Sequence, residues 1–184
     1  MPTTALLVID VQRGAFDGQR LPPIDRPEVL VDHAVSLVSA AHSAGKPVIF
    51  IQHCEQGADE LFVEGTAQWE LHDRLAPRPG DTLIKKQASS AFEATDLGAV
   101  LTKLDATELV LCGLQSEFCV FNTASAALAL GYKVLIAEDG HSTWPSGGKS
   151  ATAISDEVNA RLLASGATLQ STERLAQALN ATGA

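Results

Sequence analysis

Three side chains in this 184-residue chain stand where nucleophile chemistry could be done. Asp10 ends the apolar run Leu6-Leu7-Val8-Ile9. Its carboxylate therefore sits at the edge of a low-dielectric region, where burial raises a carboxyl pKa and a nearby cation lowers it. Lys86 closes Leu83-Ile84-Lys85-Lys86, and alternation along a strand would send the two lysines to opposite faces. Cys119 ends a segment, residues 109–119, that reads as strand, glycine turn and helix start. A thiol in the first turn of a helix faces unpaired N–H groups and the positive end of the helix dipole, which favours thiolate. A cysteine that attacks an unactivated carbonyl needs a base and a nearby positive charge. An acid, a lysine and a thiol together supply those roles. His53 and His141, both in loops after strands, are the alternative bases. Each residue also has a plain structural reading. Asp10 could order a loop, the lysine doublet could be solvated, and cysteine is often simply buried. Cys112 lies within an apolar run and fits the buried reading; Cys54, in a polar loop, fits either.

The elements that must position these groups follow from the apolar pattern. Residues 5–9, 47–52, 82–86, 108–112, 133–137 and 167–170 form short, consecutive apolar runs. Strands covered on both faces, as in a parallel sheet, read this way. Helical patterns lie between them. Residues 27–44 carry Val31, Ala34, Val35 and Val38 at helical spacing and stop at Gly45. Residues 118–130 are Ala-rich and stop at Gly131, and residues 150–164 carry Ile154, Val158 and Leu162. Strands alternating with helices predict βαβ units and a doubly wound α/β sheet in one domain over residues 1–184. In such sheets ligands bind beyond the carboxyl ends of the strands, where Asp10, Lys86 and Cys119 all fall.

Composition removes several functional classes. Thirteen basic and 22 acidic side chains give a net charge of −9, which disfavours nucleic acid and anionic membrane surfaces. No apolar stretch has the length of a membrane span. The chain starts without a basic leader, and its three cysteines make neither a disulfide framework nor a CxxC pair. This predicts a reducing cytoplasm and no structural zinc. Ser146-Gly147-Gly148-Lys149-Ser150 ends like a phosphate loop, but Thr143 stands where the first glycine is required. No GxGxxG follows the first apolar run, so neither a phosphate nor a dinucleotide cofactor is expected.

Three segments resemble the isochorismatase-like cysteine hydrolases, the superfamily that includes nicotinamidases. The first is Ile9-Asp10-Val11-Gln12. The second is Lys86 followed by Ser90-Ala91-Phe92 and Thr95-Asp96-Leu97, a spacing that selects Lys86 over Lys85. The third is Gly113-Leu114-Gln115-Ser116-Glu117-Phe118-Cys119-Val120 with Thr123-Ala124 and Gly131-Tyr132. The resemblance implies a three-layer fold around six parallel strands in the order 3-2-1-4-5-6. It implies a catalytic triad of Asp10, Lys86 and Cys119, and a cis peptide before Gln115. The backbone N–H groups of Gln115 and Cys119 would form an oxyanion hole. Gln12, Phe16, Trp69, Phe118, His141 and Trp144 are the expected pocket residues. The Asp-x-His…His metal set of nicotinamidases is missing after the second strand, which reads Gln52-His53-Cys54-Glu55. No metal, no cofactor and a substrate other than nicotinamide are therefore expected. The implied activity is hydrolysis of the C–N bond of a small amide through an acyl-thioester, in a homodimer or larger homo-oligomer. The alternatives are a vinyl ether hydrolase of the isochorismatase type and a non-catalytic scaffold or thiol sensor.

Overall fold

The computed structural model describes residues 3–57 and 59–181; Met1 and Pro2, part of the start read above as lacking a leader, lie outside them. Six strands form one parallel sheet: β1 (Thr3–Ile9), β2 (Val48–His53), β3 (Thr82–Lys86), β4 (Ala106–Leu114), β5 (Lys133–Ser142) and β6 (Thr168–Gln170). Their order is β3-β2-β1-β4-β5-β6, so β1 is central. Five helices are α1 (Pro27–Ser43), α2 (Leu97–Lys103), α3 (Phe121–Ala129), α4 (Ala151–Ala164) and α5 (Thr172–Ala181).

Both faces of the sheet are covered, which explains the unbroken apolar runs. Ala5, Leu7 and Ile9 of β1 point into one core, packed with Leu97 and Leu101 of α2, Ala124 and Ala127 of α3, and Val158 and Leu162 of α4. Leu6 and Val8 point into the other, against Ala34, Leu37 and Ala41 of α1 and Leu175 and Leu179 of α5. Among the described residues, no helix is long and apolar enough to cross a membrane.

The structure departs from the sequence pattern in ways that bear on the site. Helices α2 and α5 were not anticipated; each is short, and only two apolar residues four apart, Leu97 and Leu101 or Leu175 and Leu179, mark its buried side. β4 does not stop at Cys112 but runs through Gly113, paired with Ile9 of β1. Gly113 has a φ of +124°, and a Cβ there would stand 2.0 Å from the Ile9 carbonyl oxygen. Only glycine lets the two central strands stay this close. The helix expected from residue 118 begins instead as a π-turn, Ser116–Val120, that leads into α3. The 146–150 segment is a tight turn. Ser146 bridges Lys149, Lys149 pairs with Glu157, and the Ser150 hydroxyl caps α4 by accepting the Ala153 N–H.

Candidate active site

Parallel pairing sets the carboxyl ends of the strands side by side. Ile9 lies opposite Ile51 and Gly113, and His53 opposite Lys86. Asp10 is the first residue past β1 and adopts a left-handed backbone, φ +52°. Non-glycine residues rarely take that conformation, and those that do cluster at functional sites. The structure thus brings Asp10, Lys86 and Cys119 together. The Lys86 ammonium donates to Asp10 Oδ2 at 2.7 Å and to Cys119 Sγ at 3.1 Å. It also contacts His53 Nδ1 at 3.1 Å. Lys86 is 2% exposed and Asp10 4%. Lys85, its neighbour, points to solvent and pairs with Glu64.

Charge decides the resting state. Burial by itself would push the Lys86 ammonium down, but Asp10 and the Cys119 sulfur beside it hold it above the ordinary lysine value. Burial, with a further contribution from Asp10, pushes the Cys119 thiol up to about 11 against the pull of Lys86. The thiolate expected from a helix start is therefore not the resting form. The sulfur sits in a desolvated π-turn beside a carboxylate, and these outweigh the dipole. Asp10 Oδ1 is buried and has no hydrogen-bond partner among the described residues, which leaves its lone pairs free. The peptide bond between Leu114 and Gln115 is cis.

Asp10, His53 and Cys119 each offer a ligand atom, and these lie within 4.8 Å of one another. Such a donor set could hold a metal ion. The Lys86 ammonium stands within hydrogen-bond distance of one atom on each of the three residues, Asp10 Oδ2, His53 Nδ1 and Cys119 Sγ.

A cavity of about 520 Å³ opens onto this cluster, lined by Asp10, His53, Ser89, Gln115 and Cys119 and walled by Leu21, Leu61, Phe62, Phe118 and Trp144. Small-molecule sites commonly span roughly 300–1,000 Å³. Of the six expected pocket residues, Phe118 and Trp144 reach it; four lie elsewhere. Gln12 is fully buried, and its side-chain amide binds the backbone of His53, donating to its carbonyl at 3.0 Å and accepting its N–H at 2.8 Å. Phe16 packs edge-on against His72. Trp69 lines a separate cleft and donates its indole N–H to Cys54 Sγ at 3.2 Å, which makes Cys54 a buried acceptor. His141 is buried behind the π-turn. Its Nδ1 accepts from Ser116 Oγ at 2.8 Å, and its Nε2 reaches Asn159 Oδ1 at 2.9 Å. It is not within reach of Cys119 as a base. Cys112 is fully buried, and desolvation pushes its thiol up to about 12, which fits its structural reading.

Several contributors carried no sequence signal. Ser89 Oγ accepts from Asn122 at 2.8 Å and points at Cys119 Sγ from 4.0 Å. Glu117, next to the π-turn's start, accepts from Thr143 Oγ1 at 2.9 Å. Leu21 comes from the connection between β1 and α1, and Leu61 and Phe62 from that between β2 and β3. The Ser90-Ala91-Phe92 segment is explained by packing: Ala91 is fully buried, and its N–H donates to Thr123 Oγ1 of α3 at 3.0 Å.

Comparison with known proteins fits this arrangement. Residues 4–174 match the isochorismatase domain. A streptothricin hydrolase of Streptomyces noursei is 37% identical over 163 residues, covering 88% of this chain and 62% of that protein. A second streptothricin hydrolase of the same organism is 36% identical over 158 residues, covering 86% of this chain and 55% of that protein. The chain thus spans little more than half the length of these relatives. A crystal structure of an isochorismatase-type protein from Burkholderia xenovorans superposes with a TM-score of 0.89 at 27% identity, covering 100% of this chain and 90% of that one. With the domain match running nearly end to end and the sheet order shared, this chain belongs to the isochorismatase family of hydrolases.

Proposed function

We propose that this protein hydrolyses the C–N bond of a small amide through an acyl-thioester on Cys119. The observation that carries the reading is the buried Lys86 ammonium bonded to both Asp10 and the Cys119 sulfur, two groups that line a ligand-sized cavity. A thiol held near 11 is a poor nucleophile until its proton is removed. Asp10 Oδ1, unpartnered, takes that proton as the sulfur attacks the carbonyl carbon. Lys86 stays charged and stabilises the negative charge shared by carboxylate and sulfur.

The tetrahedral oxyanion is received by the backbone N–H groups of Gln115 and Cys119, each such donor typically contributing about 3 kcal/mol. Protonated Asp10 then gives its proton to the leaving amine. Water enters the vacated side, Asp10 accepts its proton, and hydroxide attack on the thioester releases the acid and restores the thiol. Phe118 and Trp144 provide apolar walls for the rest of the substrate. Because streptothricin hydrolases stand among the relatives, streptothricin itself belongs in the first substrate panel.

The test is an ammonia- and amine-release screen over small amides and lactams, with Cys119→Ala as control. Intact mass spectrometry after rapid acid quench should reveal the acyl adduct on Cys119. Undiminished amide turnover in Cys119→Ala would refute the thioester route, whereas cleavage of a vinyl ether with no turnover across the amide panel would favour the isochorismatase-type reading, which needs no thiol. Assembly as a homo-oligomer and a cytoplasmic setting belong to the same reading and are checked by light scattering and cell fractionation.

A further inference from the structure

We infer that His53 is a positioning residue for the nucleophile: its Nδ1 accepts the third N–H of Lys86 and so fixes the ammonium between Asp10 and Cys119. The inference rests on the proposed role of Cys119. An ammonium has three donors and no acceptor. Lys86 has three acceptors at hydrogen-bond distance, Asp10 Oδ2 at 2.7 Å, Cys119 Sγ at 3.1 Å and His53 Nδ1 at 3.1 Å. Without His53, one donor of a 2% exposed cation would face no partner, and the ammonium could swing away from the sulfur.

The contact also fixes the tautomer. Since Lys86 can only donate, Nδ1 carries a lone pair and the ring proton lies on Nε2. His53 lines the cavity, and among the described residues nothing bonds its Nε2. Nε2–H is thus the polar ring group left for a cavity ligand, and a ligand that bonds His53 there would do so as an acceptor.

The residue is held from every side. Gln12 binds both its backbone N–H and its carbonyl. β3 sets it opposite Lys86, and the Phe62 ring meets it edge-on with centroids 6.3 Å apart. The charged and titratable groups facing it are Lys86, Asp10, Cys119 and Glu55. Burial, then Lys86, pushes the imidazole below its ordinary value, against Asp10 and Glu55. It is neutral at pH 7, as an acceptor must be. Protonation at lower pH would convert Nδ1 from acceptor to donor and set two cations at 3.1 Å.

The experiment is alkylation of Cys119 by iodoacetamide, which reads thiolate reactivity without any substrate. Asparagine sets its side-chain acceptor near the Nδ1 position; glutamine sets it near Nε2; leucine has none. His53→Leu and His53→Gln should slow alkylation at pH 8 by about tenfold, the effect of losing one hydrogen bond to a charged group. The pH dependence should move upward in both. His53→Asn should stay within about threefold of the parent, since the acceptor is restored. If His53→Leu does not fold, the Asn and Gln variants decide between themselves. A His53→Asn protein no better than His53→Gln, or a folded His53→Leu protein that alkylates like the parent, would overturn the inference. A protein that shows the alkylation pattern but cleaves no amide would leave it standing and refute the amide reading instead.

Discussion

Replacing Lys86 with methionine keeps much of the side-chain length and deletes the charge. The structure sets what this should do. Lys86 and Asp10 are 2% and 4% exposed, and the methionine side chain fills the ammonium's place, so water does little to replace it. Asp10 Oδ1 already lacks a partner among the described residues, and Oδ2 would lose its 2.7 Å bond. The carboxylate then has two courses. Remaining charged and unpaired costs about 3–5 kcal/mol. Taking up a proton at pH 7 costs an ordinary aspartate about 4 kcal/mol, from roughly three pH units at about 1.4 kcal/mol each. The cheaper course prevails, and we expect a loss of about 3–4 kcal/mol at pH 7. The sign with pH follows from proton binding. In the variant the folded state holds a proton that the unfolded state has released, so the stability gap to the parent widens as pH rises. It should shrink by up to about 1.4 kcal/mol per unit between pH 7 and 5. Urea denaturation at several pH values measures both. Adding Asp10→Asn to Lys86→Met should recover most of the loss and remove the pH dependence of the gap. A Lys86→Met protein as stable as the parent would refute the reasoning, and a gap constant from pH 5 to 8 would mean that the carboxylate stays charged and unpaired instead of taking up a proton.

Cys119 alkylation in the parent protein should keep rising with pH, about tenfold per unit, towards the value near 11 that burial and Asp10 impose; a plateau below pH 8 would mean a resting thiolate. Gly113→Ala should lose several kcal/mol in denaturant unfolding, about 1–3 from the left-handed backbone and about 1–3 more because its Cβ collides with the Ile9 carbonyl. A change under about 1 kcal/mol would show that β1 and β4 can part at no cost. His141 is pushed down by burial first, with Asn159 opposing. The unfolded chain therefore binds a proton on it below pH 6.5 that the folded state refuses, and stability is lost as pH falls from there. His53 and His72, also lowered, add to this slope. His141→Gln should make the fall in Tm between pH 6.5 and 5 shallower, and an unchanged slope would remove His141 from the account.

Much of the fold was legible because a parallel sheet covered on both faces leaves unbroken apolar runs. Residues 5–9 carry Leu6 and Val8 for one core and Leu7 and Ile9 for the other, with no polar residue between. Helices α2 and α5 were not legible, since two leucines four apart in a short segment also fit a loop. Cys119 was readable as a residue at the start of a helix, but its protonation state was not. Local position suggests thiolate, while the loss of solvent and then the closeness of Asp10, both products of packing, reverse the sign.

What the sequence determined by itself is the set of apolar runs and the residue types near their carboxyl ends: Asp10 after the first run, Lys86 closing the third and Cys119 beyond the fourth. What only the tertiary structure decided is which further groups join them. Gln12 became the clamp on the His53 backbone rather than a pocket wall, and His141 the partner of Ser116 rather than a base. The cavity took Leu21, Leu61 and Phe62 from distant loops. The physical reason is range. Strand and helix patterns are written in neighbours a few residues apart. Hydrogen bonds such as Lys86 to Asp10, 76 residues apart in sequence, exist only after the sheet has set its register.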